Sequence, residues 1–176
     1  MRSDVERRVL DSGEVILFVL VFSTCLLGCS YSFTGSSVPP HLKTIAVPLF
    51  DDQSGFGEAG LRELFTNKLI SRFTQDNSLQ IADKKDADSI LEGTIVAVRD
   101  EPSVVGSGET VSKRRLTIVV NAAYQDMKLR KKVWEKQLSN WGDYEIGAGP
   151  AERQSAIAVA IEKLTEDILL ETVSGW

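Results

Sequence analysis

Between Arg114 and Asp126 the side chains alternate, with Leu116, Ile118, Val120, Ala122 and Tyr124 on one side and Arg115, Thr117, Asn121 and Gln125 on the other. A period of two marks a strand with one buried face, and such a strand needs paired neighbours and a covering layer. Residues 89–99, SILEGTIVAVR, read as a long strand before it. Residues 133–141 read as another after it, with Trp134 and Leu138 facing one way and Glu135, Gln137 and Ser139 the other. The link through residues 128–132 is too short for anything but a hairpin turn, so the three strands form an antiparallel meander. Upstream, KTIAVPLF (residues 43–50) alternates through Ile45, Val47 and Leu49; Pro48 removes a ladder donor, which puts this strand at an edge or ends it.

The covering layer is also visible. Over residues 58–75, Leu61, Leu64, Phe65, Leu69 and Phe73 recur at helical spacing, and over residues 151–173 Ile157, Ile161, Leu164 and Ile168 do the same. Two amphipathic helices must bury their stripes, and one face of a sheet offers that surface. The expected fold is therefore an α+β two-layer sandwich, with two helices packed on one face of a mostly antiparallel four-stranded sheet in the order β-α-β-β-β-α. The loop from Asp51 to Gly57 and the charged segment 83–88 connect these elements, and residues 79–82 are too short to assign.

The N-terminal quarter is of another kind. Val15 to Leu27 is almost continuously apolar, and Val15 to Phe22 shows no polar face, which argues against an ordinary core helix. Its length of about 13 residues falls short of the roughly 20 that span a bilayer but suits the core of a secretion signal. Four acids among the first fourteen residues depart from a basic leader. Leu26-Leu27-Gly28-Cys29 is similar to the lipobox of bacterial lipoproteins, in which the cysteine is acylated and becomes the first residue. The expected division is a signal peptide over residues 1–28, a lipidated terminus and tether over 29–42 ending in Pro39-Pro40, and one domain over 43–176. Cys25 would be discarded and the Cys29 sulfur capped, leaving no disulfide. One acyl chain holds a protein marginally, whereas several hold it stably. Ser30 stands where an aspartate would favour the inner membrane, so the outer membrane is expected.

Charge is unevenly distributed. Lys113, Arg114, Arg115, Lys128, Arg130, Lys131, Lys132 and Lys136 share a window with only Asp126 and Glu135, giving +6 there against −10 for the rest of the mature chain. Such asymmetry points to an anionic partner, although a solvated hairpin turn would look the same. Nucleic acid is a poor candidate outside the cytoplasm, which leaves lipid phosphates.

Signals for catalysis are thin. Gly55-Phe56-Gly57-Glu58-Ala59-Gly60 fits GxGxxG, but Asp51, Asp52, Gln53 and Ser54 separate it from the preceding strand, and acids there oppose a pyrophosphate. It reads as a turn leading into a helix. The single histidine, His41, lies in the tether with no second ligand for a metal, and Trp134, Trp141 and Trp176 read as packing residues. No cofactor is expected apart from the covalent lipid on Cys29.

Cys29-Ser30-Tyr31-Ser32-Phe33-Thr34-Gly35, Val38-Pro39-Pro40, the KTIAVPLF strand, Ala87-Asp88 leading into Leu91-Glu92-Gly93-Thr94-Ile95, Arg115-Leu116-Thr117-Ile118 and the terminal Gly175-Trp176 together resemble the LptE family of lipopolysaccharide-assembly lipoproteins, in particular its Bacteroidetes/Chlorobi-like branch. The resemblance implies an outer-membrane lipoprotein without enzymatic activity. It would plug the lumen of an LptD-type β-barrel translocon, help that barrel assemble and assist insertion of lipopolysaccharide into the outer leaflet. It also implies two helices on a four-stranded sheet, and lipopolysaccharide binding through basic residues for which no fixed motif assigns positions. Two alternatives remain: a small-ligand binder or enzyme using the loop from Asp51 to Gly60, and a lipoprotein adaptor for another envelope machine.

Overall fold

Three long strands carry the fold: β4 (Ser89–Ser103), β5 (Lys113–Asp126) and β6 (Lys131–Glu145). In this computed structural model, residues 38–103 and 113–174 are described. Both pairings are antiparallel, running from Ser89 opposite Asp126 to Ser103 opposite Lys113 with a bulge between Ile95 and Ala97, and from Lys113 opposite Glu145 to Asp126 opposite Lys131 with one between Tyr124 and Gln125. This is the expected meander, and its strands run several residues longer than the alternation alone indicates.

The rest of the sheet differs from expectation. It has six strands rather than four and is mixed rather than mostly antiparallel. β1 (Thr44–Ala46) pairs in parallel with both β4 and β3 (Gln80–Ile81), and β2 (Asp51–Asp52) pairs in parallel with β4 further along, opposite Thr94 and Ile95. The reason for the parallel sense is the helix α1 (Leu61–Asp76), which carries the chain back along the sheet before the next strand begins. β2 and β3 are two residues each, too short for any periodicity to register.

Between β1 and β2 the chain dips inward at Phe50, which is 1 % exposed, donates its N–H to Thr66 Oγ1 at 3.0 Å and packs on Phe65. Gly93 lies beneath it. A Cβ there would stand 2.3 Å from the Phe50 ring, so only glycine lets that ring lie across β4.

α1 buries Leu61, Phe65, Thr66, Leu69 and Phe73. Leu64, expected in the stripe, is half exposed, and Thr66 takes a core position because its hydroxyl is satisfied by Phe50. The helix ends where Asn77 turns left-handed and donates its N–H to the Phe73 carbonyl. α2 (Pro150–Ser174) buries Ile157, Ile161, Leu164 and Ile168 as its spacing predicts, together with Ala156 and Ala160. It lies close on β6: a Cβ on Gly142 would meet the Ala156 carbonyl oxygen at 2.2 Å. Arg72 of α1 pairs with Glu162 and Glu166 of α2, and Lys68 also reaches Glu162, binding the two helices side by side.

Both helices cover the face that carries Leu91, Ile95, Leu116, Ile118, Val120, Ala122 and Tyr124, all essentially inaccessible. Full burial of such side chains stabilises by about 1.5–3 kcal/mol each. No described helix lies over the opposite face. Its central rows read Glu92, Ala123 and Glu135, then Thr94, Asn121 and Gln137, with an Asn121–Gln137 hydrogen bond between strands.

Candidate functional site

The eight basic residues of the charged window do not form one patch. Lys113, Arg114 and Arg115 begin β5, whereas Lys128, Arg130, Lys131 and Lys132 follow its end. Thirteen strand steps separate Lys113 from Asp126, roughly 40 Å at about 3.3 Å per residue and several screening lengths at physiological salt.

At the first end, acids meet the basic groups. Arg114 donates through Nε to Asp100 Oδ1 at 2.8 Å and through Nη2 to the Asp100 carbonyl at 2.7 Å, while Tyr144 donates its hydroxyl to Asp100 Oδ2 at 2.6 Å. Burial opposes ionisation of Asp100, but the Tyr144 and Arg114 bonds outweigh it and hold the carboxyl below its ordinary value. Arg115 grips Asp143 with two bonds of 2.8 and 3.0 Å, lowering that carboxyl's pKa, and lies over the Trp141 ring. Lys163 of α2 meets the same indole, so Trp141 is 41 % exposed yet clasped between cations, not a core residue as expected. Trp134 does reach the core, and Trp176 lies outside the described residues. Lys113 stands 3.7 Å from Glu145, and Lys136 pairs with Glu171 of α2.

The second end is built around two aspartates. Asp88, immediately before β4, accepts the backbone N–H groups of Lys43 and Thr44 at 2.8 and 3.2 Å, and Lys128 Nζ reaches its other oxygen at 2.9 Å. Lys128 above all, then the Lys43 N–H, pulls its carboxyl down to about 2. Asp126, 2 % exposed, accepts from His41 Nε2 at 2.6 Å and from the Leu129 N–H at 2.8 Å. Burial would push the Asp126 carboxyl up, but these bonds hold it below the ordinary aspartate value. His41, assigned to the tether from the sequence, is thus docked onto the domain, as is Leu42 at 3 % exposure; Lys128 closes the arrangement by donating to the His41 carbonyl at 2.8 Å.

What remains is the hairpin tip. Asp126 shapes the turn, Arg130 adopts a left-handed backbone (φ 54°), and Leu129 and Met127 are 66 % and 41 % exposed. Lys132 is paired with Glu135. Among the described residues, Arg130 and Lys131 are the two members of the basic window with no ion pair. Sequence counting identified the basic residues but missed their acidic partners and missed His41, Asp88 and Asp126. The only sequence signal for the last three was polar residues beside the ends of strong strands.

In the GxGxxG loop Gly55, Gly57 and Gly60 all take left-handed backbones, as a winding turn requires. Asp52 is engaged with Ser54, and Glu58 with Arg153 and Gln154 of α2. A groove of about 560 Å³ between the Pro48–Gln53 segment and the sheet face without a described helix is lined by Asp51, Glu92, Glu135, Gln53, Asn121 and Thr94, with no basic side chain. No cluster of three or more metal-ligating side chains occurs among the described residues, and no described helix is long and apolar enough to cross a membrane. Cys29 lies outside the described residues.

Among the described residues, the paired ion clusters serve the fold, and the exposed surface includes a polar sheet face and a basic tip. The family model described as lipopolysaccharide-assembly, LptE, matches residues 42–172, and the chain belongs to that family of lipopolysaccharide-assembly lipoproteins. No curated protein matches the sequence. Solved structures share the fold at low identity. The chain is similar to protein CT253 of Chlamydia trachomatis (TM-score 0.55, 8 % identity, covering 77 % of this chain and 99 % of that one). It is also similar to protein XCC0632 of Xanthomonas campestris (0.52, 14 %, 77 % and 88 %) and to a minor lipoprotein of Acinetobacter baumannii (0.52, 12 %, 76 % and 94 %).

Proposed function

We propose that this chain is an outer-membrane lipoprotein, anchored by acyl groups on Cys29, that plugs and helps assemble an LptD-type β-barrel and assists delivery of lipopolysaccharide to the outer leaflet. The observation that carries the reading is the family match across nearly all of the described domain, residues 42–172. The uncovered sheet face supports the plug role. Its rows of Thr94, Asn121 and Gln137 with small Ala123 beside them suit a hydrated lumen, where polar groups need no desolvation. A role without chemistry fits the engagement of His41, Asp88, Asp100, Asp126 and Asp143 within the fold.

Contact with lipid phosphates is assigned to the tip. Arg130 and Lys131 are free to meet an anion, Arg130 through its planar fork and Lys131 as a point charge. Arg114, Arg115 and Lys136 hold the fold, and Lys113, Lys128 and Lys132 must exchange an acid partner before they can contribute.

Affinity purification of the full chain from detergent-solubilised outer membranes tests the reading. One large β-barrel should be the dominant partner, and intact mass should show an acylated Cys29. Recovery in the inner-membrane fraction, or recovery from the outer membrane without a barrel, overturns the plug role; an unmodified Cys29 overturns the anchor.

A further inference from the structure

We infer that the Met127–Lys131 tip is a bilayer-docking wedge that seats the domain on an anionic phospholipid surface. The inference goes beyond the lipopolysaccharide reading, because an ordinary anionic bilayer would satisfy it.

Three observations converge. The tip is amphipathic: Leu129 and Met127 are exposed at 66 % and 41 %, next to Arg130 and Lys131, which lack acid partners. A soluble phosphate would use the two charges and leave Leu129 bare, whereas a lipid surface offers headgroup phosphate and hydrocarbon together. The wedge is also preorganised. The Asp126 carboxylate fixes the turn through the Leu129 N–H, and Lys128 is spent inward on Asp88 and His41, so the side chains left to project are the apolar pair and the two free cations. Finally, the chain reaches the domain at this end. His41 and its carbonyl are tied to Asp126 and Lys128, so Val38 lies within about 10 Å of them at the reach of three residues. Nine further residues lead back to Cys29, spanning at most about 30 Å. A chain acylated at Cys29, as proposed above, therefore enters the domain beside this tip.

The full chain reconstituted in phosphatidylcholine vesicles, with or without about 30 mol% phosphatidylglycerol, provides the test by hydrogen–deuterium exchange. Exchange at residues 127–131 should slow by at least about fivefold on the anionic vesicles, the factor worth roughly one basic group near such a surface, with residues 146–149 unchanged. Arg130→Ser combined with Lys131→Ser should remove the protection, as should Leu129→Ser by itself, each retaining the wild-type melting temperature within a few degrees. High salt should weaken it. Equal exchange on both vesicle types overturns the wedge. Vesicles carrying lipopolysaccharide in place of phosphatidylglycerol separate the two readings: protection there and not on phosphatidylglycerol overturns bilayer docking while leaving the lipopolysaccharide contact intact, and protection on neither overturns both assignments of the tip.

Discussion

Asp88→Asn isolates the electrostatic part of the junction that joins β1, β4 and the hairpin. The wild-type carboxylate accepts two backbone N–H groups and Lys128 Nζ, and its pKa falls from the ordinary 3.8 to about 2. At about 1.4 kcal/mol per unit, that depression corresponds to roughly 2 kcal/mol of stability at neutral pH. Lys128 is half exposed, so solvent screens part of it, and about 1–2 kcal/mol is the working figure. Asparagine keeps an oxygen for the Lys43 and Thr44 N–H groups but loses the charge facing Lys128. The melting temperature of the variant should fall by about 3–6 °C in a domain of this size. The pH dependence gives the sharper signature. The folded pKa lies below the unfolded one, so the wild type holds this stabilisation above about pH 4 and loses it as pH falls towards 2. Urea unfolding at about pH 7, 5 and 3 should therefore show a wild-type advantage that is full at the two higher values and shrinking at the lowest. A difference of the same size at all three pH values, or none at neutral pH, would refute the charge-based account and leave Asp88 as a neutral hydrogen-bond acceptor.

Two glycines offer independent checks. Gly142→Ala forces a Cβ to 2.2 Å from the Ala156 carbonyl oxygen, a backbone atom that cannot rotate away, and should cost about 2–3 kcal/mol in urea unfolding, whereas Gly149→Ala, whose Cβ meets only the Glu152 carboxylate at 3.4 Å, should be close to neutral. Gly57→Ala has open space around it but a φ of 75°, so it should cost about 1–2 kcal/mol through backbone strain alone. Nicotinamide and flavin dinucleotides should not shift the melting temperature of the wild type; a saturable shift would revive a nucleotide site at the GxGxxG loop.

The sequence by itself determined the elements whose side chains repeat over ten residues or more. The β5 alternation, its two antiparallel neighbours and the α2 stripe of Ile157, Ile161, Leu164 and Ile168 all stand in the structure as read, because burial of one face writes a local periodic pattern into the chain. Leu64 shows the limit of that pattern: its spacing fits the α1 stripe, yet which side of a helix is covered depends on where the partner lies. The parallel edge of β1, β2 and β3 was decided only in three dimensions, since strands of two or three residues exist by virtue of the β4 edge and the α1 crossover rather than of their own sequence. The basic window followed the same division. Its composition was plain, but the acids that engage it stand at Asp88, Asp100, Asp143 and Glu171, from 14 to 40 residues away from their partners. Ion pairing is a contact between distant segments, so the tertiary structure alone decided that Arg114, Arg115 and Lys136 hold the sheet and helix together while Arg130 and Lys131 were left at the tip without an acid partner.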